Sequence, residues 1–201
     1  MRIACLGDSL TQGDYGVFGK RGIMNLQPEN YPYFLSKSTG ATVLNYGCCG
    51  HTPSHYIKHY KSGNADVTNC DIIIIMLGTN GGLDPNEDTQ GNRDYDELVR
   101  LCAADAPNAK IVLCTPPHAT ENPEYSNCGH MPRIKNAVAF VKNYCKEHGI
   151  DMIDVAACPD FTAENEKIMQ PNDGLHFGKE GYKALADYIE KGLRKLYPQL
   201  F

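Results

Sequence analysis

Five short apolar and β-branched runs, at residues 2–6, 42–46, 72–77, 111–114 and 152–155, alternate with stretches whose apolar residues recur at helical spacing. This alternation is the pattern of a parallel sheet with helices on both faces, because each parallel crossover carries a helix back over the sheet. The strongest run, Ile72-Ile73-Ile74-Ile75-Met76-Leu77, lies between Asp71 and Gly78 and reads as a core strand. Helices are expected at 31–38, 52–62, 95–104, 131–148 and 179–196. Gly149 stands where the fourth needs a C-terminal cap. In the fifth, Tyr182, Leu185, Ala186, Ile189 and Leu193 keep one face. No repeat, low-complexity tract or linker divides the 201 residues. The expected organisation is one α/β domain over 1–201, long enough to bury roughly 70% of its unfolded surface.

Gly7-Asp8-Ser9-Leu10 follows the first strand directly, and Asp173-Gly174-Leu175-His176 lies near the other end of the chain. Open α/β sheets place their ligands at the carboxyl edge of the strands, where Ser9 is expected. A serine hydroxyl is a weak nucleophile until an imidazole takes its proton, and that imidazole needs a third group to hold its tautomer. The three-residue step from Asp173 to His176 lets the carboxylate reach Nδ1 and leaves Nε2 for Ser9. A tetrahedral oxyanion also needs donors. Gly47 follows the second strand, Gly78-Thr79-Asn80 follows the third, and the Ser9 N–H completes an expected trio with Gly47 and Asn80.

These four segments, Gly7-Asp8-Ser9-Leu10, Gly47, Gly78-Thr79-Asn80 and Asp173-x-x-His176, occur in the order of the four blocks of the SGNH (GDSL) hydrolases, which the chain resembles over nearly its whole length. The resemblance implies a flavodoxin-like three-layer α/β/α sandwich with a five-stranded, mainly parallel sheet. It also implies serine ester hydrolysis with no metal and no cofactor. Ser9 would be nucleophile and oxyanion donor, Gly47 and Asn80 the other donors, and His176 the general base oriented by Asp173. One departure is visible: many members follow the Asn triplet with an aspartate, where this chain has Gly81-Gly82.

Other chemistries fit less well. Residues 7–13 match neither the dinucleotide nor the phosphate-loop glycine pattern, and no G-x-S-x-G elbow is present. A net charge of −5, with Lys and Arg scattered, argues against a nucleic-acid surface. The longest strongly apolar run falls far short of the roughly 20 residues that cross a bilayer. The first strand begins almost at the N-terminus without a leader pattern, and nine cysteines, an odd number with Cys5, Cys114 and Cys145 in core segments, suit reduced thiols. A cytoplasmic location is the expectation. His51, His55 and His59 recur every fourth residue beside Cys48 and Cys49, but there is no H-E-x-x-H glutamate and Pro53 sets His51 at the helix start. A partly exposed histidine stripe is expected there rather than a metal site.

The expected partner is a small ester, not nucleic acid or membrane. Asp14, Tyr15, Asn25, Asn86, Asp88, Asn92 and Asp94 surround the blocks, and the loop 81–94 is placed for substrate recognition. This favours a short acyl group, such as acetyl, on a carbohydrate or other polar alcohol. A lysophospholipase or acyl-thioesterase is the alternative within the chemistry, and a non-catalytic flavodoxin-like small-molecule binder the alternative outside it.

Overall fold

The computed structural model describes residues 1–17 and 24–201. Strands β1 (Arg2–Gly7), β2 (Thr42–Gly47), β3 (Ile72–Met76), β4 (Lys110–Cys114) and β5 (Asp151–Ile153) form one sheet in the order β2-β1-β3-β4-β5. Every neighbouring pair is parallel. This is the flavodoxin-like order, whose reversal between β1 and β3 opens a crevice at the carboxyl edge. Gly7 is in register with Gly47 on one side and Met76 on the other, so three strands end flush at that crevice.

Between and after the strands run α1 (Ser9–Gln12), α2 (Tyr31–Thr39), α3 (Pro53–His59), α4 (Gln90–Asp105), α5 (Met131–His148), α6 (Glu166–Met169) and α7 (Lys179–Leu196). The side chains of β1 and β3 alternate between two cores. Ile3, Cys5, Ile72, Ile74 and Met76 pack with Tyr31 and Leu35 of α2 and with α7. Ala4, Leu6, Ile73 and Ile75 pack with α3, α4 and α5 on the other face. The layers are thus α2 and α7, the sheet, then α3 to α5. Tyr182, Leu185, Ile189 and Leu193 of α7 are all fully buried. At about 1.5–3 kcal/mol per large apolar side chain, that face outweighs the few tenths of a kcal/mol by which helix propensities differ between ordinary residues.

The helices 131–148 and 179–196 have the expected bounds, and Gly149 caps the first through its N–H to the Cys145 carbonyl. The short helices α1 and α6 are not among the expected elements, and three expected elements differ by two residues or more. Helix α4 begins at Gln90 instead of residue 95, because Thr89 accepts the Asn92 N–H and caps a first turn with no apolar periodicity. Much of the expected loop 81–94 is therefore a loop of 81–89 and a helical turn. Helix α3 ends at His59 in a wide turn through Gly63, and β5 stops at Ile153. There Asp154 leaves the sheet to accept a hydrogen bond from Thr115 Oγ1 and to pair with Lys142. All nine cysteines are free; burial pushes the Cys5 thiol up to about 12, so it behaves as an apolar core group. No helix among the described residues is long and apolar enough to cross a membrane.

Candidate active site

Ser9 opens α1 two residues beyond the end of β1, and the intervening Asp8 caps the helix by accepting the Leu10 N–H at 3.0 Å. The Asp8 side chain is fully buried, and burial pushes its carboxyl up to about 6. Ser9 is itself only 4% exposed, and its hydroxyl lies 2.9 Å from His176 Nε2, across 167 residues of sequence.

His176 reaches Ser9 because the turn Asp173-Gly174-Leu175-His176 is tied down by one carboxylate. Asp173 Oδ1 accepts the N–H groups of Leu175 (3.0 Å) and His176 (2.9 Å), and Oδ2 lies 2.6 Å from His176 Nδ1. An ionised carboxylate can only accept, so Nδ1 carries the ring proton and Nε2 presents its lone pair to the Ser9 hydroxyl. Burial alone would raise Asp173, but its hydrogen bond and charge contact with His176, and the two backbone N–H groups, hold it below the usual carboxylate value. For His176, burial disfavours the charged ring. Asp173, then Asp14 and Asp8, outweigh it and raise the imidazole above its ordinary value.

Asp14 is a part of this site whose position the sequence did not signal. Its Oδ2 stands 4.0 Å from His176 Nε2, and its Oδ1 accepts the N–H groups of Gly16 and Asn25. Tyr182 of α7 donates to the Asp14 carbonyl at 2.7 Å, and Asn172 donates to the Tyr15 carbonyl at 2.7 Å, binding the segment after α1 to the C-terminal part of the chain. Asp14 was legible only as one of seven polar residues around the blocks. Of the others, Asn92 is spent inside its own loop, accepting from Asp84 N–H and donating to the Asp84 and Glu87 carbonyls. Asp94 accepts from Gln90, and Tyr15 donates to the Glu29 carbonyl.

The expected donors divide. Asn80 leaves the β3 edge half-buried and anchors one amide hydrogen on the His51 carbonyl at 3.2 Å. The Gly81 N–H closes the preceding turn on the Gly78 carbonyl, and Arg133 of α5 holds the Thr79 carbonyl. Gly47 departs from expectation, because its N–H already donates to Asn45 Oδ1 at 2.9 Å. A glycine is required there for a different reason: a Cβ would stand 2.1 Å from the Gln12 backbone nitrogen, where α1 crosses β2. In the following turn, Cys48 N–H donates to the Gly7 carbonyl, Cys49 N–H to Gln12 Oε1 and His51 N–H to the Cys48 carbonyl. Among the described residues this leaves the Gly50 N–H without a protein acceptor, in a turn that Gly50 makes at φ +72°. The signal that could have found it is a second glycine three residues on, at a turn rather than at a strand end.

Cys49 lies beside the same carboxylate, its Sγ 3.7 Å from Asp14 Oδ2. Burial, with the charge of Asp14, pushes its thiol up to about 12, so it presents an S–H and not a competing thiolate.

The profile of the GDSL-like lipase/acylhydrolase family matches residues 5–184. An isoamyl acetate-hydrolyzing esterase of Schizosaccharomyces pombe is 23% identical over 209 residues, covering 99% of this chain and 77% of its own. Among solved structures, Est24, a carbohydrate acetylesterase from Sinorhizobium meliloti, superposes with a TM-score of 0.78 at 20% identity, over 97% of this chain and 99% of that one. The native aryl esterase of M. smegmatis gives 0.76 at 18% identity with the same coverage.

Proposed function

The chain belongs to the GDSL-like lipase/acylhydrolase family and is a carboxylic ester hydrolase, and from that premise we propose that Ser9, His176 and Asp173 cleave short acyl esters, acetyl above all, through an acyl-enzyme. The observation that carries this reading is the unbroken relay from Asp173 Oδ2 through the imidazole to Ser9 Oγ, with links of 2.6 and 2.9 Å.

In the proposed cycle His176 Nε2 takes the Ser9 proton as Oγ attacks the acyl carbonyl. The developing oxyanion is met by the Ser9 N–H, the Asn80 side-chain amide and the Gly50 N–H, the last replacing Gly47. Each donor in such a hole is worth about 2.7–4 kcal/mol of barrier. The imidazolium formed in that step is flanked by Asp173 and Asp14, which favour its charge. It protonates the departing alcohol, the acyl group stays on Ser9, and water repeats the sequence with the same base.

The pH dependence has a definite sign. Because the folded protein holds the His176 pKa above its ordinary value, the ring stays protonated, and unable to act as base, to a higher pH. The rate should therefore fall, on acidification, through a midpoint above the ordinary imidazole value of about 6.5. Asp14→Asn removes one of the charges that favour the imidazolium and should move this acid limb of kcat/KM to lower pH. A midpoint unchanged by the substitution would exclude the role of Asp14.

The acetyl preference is supported by the polar groups next to the relay, Asp14 at 4.0 Å from His176 Nε2 and Cys49 at 3.7 Å from Asp14. It is supported too by two similar proteins named for acetate esters, the yeast isoamyl acetate-hydrolyzing esterase and the carbohydrate acetylesterase Est24. A carbohydrate or comparable polar alcohol is the proposed leaving group. The test is hydrolysis of p-nitrophenyl esters from acetate to palmitate, followed by acetate release from acetylated sugars. Acetate should be preferred over octanoate by about tenfold or more in kcat/KM, a small-pocket effect of a few kcal/mol at most. Rates rising with chain length would overturn the acetyl reading in favour of a lysophospholipase or acyl-thioesterase.

A further inference from the structure

Cys48, His51 and His59 converge on the flank of the turn that carries Gly50, with one ligating atom from each within 4.8 Å of the other two. We propose that this trio binds a zinc-class divalent cation, at a site separate from the Ser9–His176–Asp173 relay.

Sequence spacing points to a different trio, the stripe His51, His55 and His59. On a continuous helix His51 and His59 would stand eight residues and about 12 Å apart, too far to share an ion. Pro53 is instead the first helical residue of α3, so the chain before it is free to bend. The turn at Gly50 swings His51 back along the helix until its ring lies 5.5 Å from that of His59, nearly perpendicular to it. Tyr56 braces both rings, at 6.2 Å from His51 and 5.6 Å from His59. The same bend brings Cys48 into the group. Pro53, which argued against a helical metal motif, is what makes this non-helical convergence possible.

The donor chemistry agrees. His51 Nδ1 lies 3.1 Å from the Cys49 carbonyl oxygen. A carbonyl only accepts, so the proton sits on Nδ1 and the Nε2 lone pair is available, the backbone-fixed tautomer that metal-bound imidazoles use. All three side chains are partly exposed, and the two histidines line an open groove with Gly50, His55, Lys58 and Ser62, so an ion can enter from solvent. One thiolate and two imidazoles select zinc or its softer neighbours over magnesium, calcium or manganese. Loading exchanges the Cys48 thiol proton for the cation. Tetrahedral zinc, with bonds of about 2.0–2.3 Å, sets its ligand atoms roughly 3.3–3.8 Å apart. The trio must therefore contract by about 1 Å at its widest, within reach of side-chain rotation in half-buried residues. The fourth position falls to water, or to His55, whose ring is 5.9 Å from that of His51.

The test is a titration of the full chain, reduced and freed of metal by chelation, with cobalt(II) and then zinc(II). One equivalent of cobalt should bind with a sulfur-to-cobalt charge-transfer band, and zinc should displace it. Cys48→Ser should abolish the band, and His59→Ala should weaken binding by about tenfold or more. His59→Gln, closer in size, guards against a folding defect, and circular dichroism checks each variant. Ser9→Ala should bind as the parent does, which separates this site from the hydrolytic reading. Cobalt bound without the charge-transfer band, or with equal affinity in Cys48→Ser and His59→Gln, would overturn the proposal.

Discussion

Ser9→Ala is expected to reduce kcat on short esters by about 10⁵–10⁶-fold, a loss on the scale expected for removing His176. In the proposed cycle the hydroxyl forms and breaks the acyl bond, and its hydrogen-bond partner is His176 Nε2 at 2.9 Å. Alanine removes one oxygen from a site already only 4% exposed, so it should leave folding intact. The Ser9 backbone N–H remains, as do the Asn80 amide and the Gly50 N–H, so a residual rate above the uncatalysed reaction should persist. The measurement is single-substrate kinetics on p-nitrophenyl acetate with protein whose circular dichroism matches the parent. A folded variant that keeps the parent rate would remove Ser9 from the chemistry altogether.

Asp173→Asn should lower kcat by about 10⁴-fold, less than the loss of Ser9 but far more than any surface change. The substitution is nearly isosteric, and the side-chain oxygen can still accept the Leu175 and His176 N–H groups that shape the turn. What changes is the other branch. In the parent Oδ2 accepts from Nδ1 at 2.6 Å, whereas an amide NH₂ in that place donates, so Nδ1 must become the acceptor. The ring proton then moves to Nε2, facing Ser9, and the base is lost without the geometry being disturbed. A variant with the parent's thermal midpoint and four orders of magnitude less activity would separate this tautomer effect from a packing effect. A loss below about tenfold would mean that His176 is oriented by something else.

Much of the fold was legible because its signals are local and repetitive. The apolar runs alternate with helical spacing, and α5 and α7 have the expected bounds because an apolar face of 18 residues leaves little freedom in where a helix begins. Elements set by a single capping contact were not legible. The first turn of α4 rests on Thr89 and Asn92, a polar pair indistinguishable in composition from the loop before it. The β-branched side chain of Val155 predicts strand through that residue, while its tertiary place is a turn beyond Asp154.

The site shows the same division. Ser9 and the Asp173–His176 pair could be named from sequence, since Gly, Asp and Ser, ordinary turn formers on their own, here follow a strand and stand in one order with Gly47, Gly78-Thr79-Asn80 and Asp173-x-x-His176, the order that resembles the SGNH hydrolases. Gly47 could be recognised as a necessary glycine, but its purpose could not: steric clearance for α1 and donation to an oxyanion ask for the same residue. Asp14, like the pairing of Cys48 with His51 and His59, depends on how the segments after β1 and β2 fold back across the sheet edge.

The sequence by itself determined the layer architecture and the identity of the relay, because hydrophobic periodicity and residue chemistry are written locally along the chain. Only the tertiary structure decided which amide is left free, which carboxylate faces the imidazole and which histidines meet a cysteine. Those outcomes depend on distances of a few ångströms between segments up to 167 residues apart in sequence, and they are set by the flush ending of three parallel strands at Gly7, Gly47 and Met76.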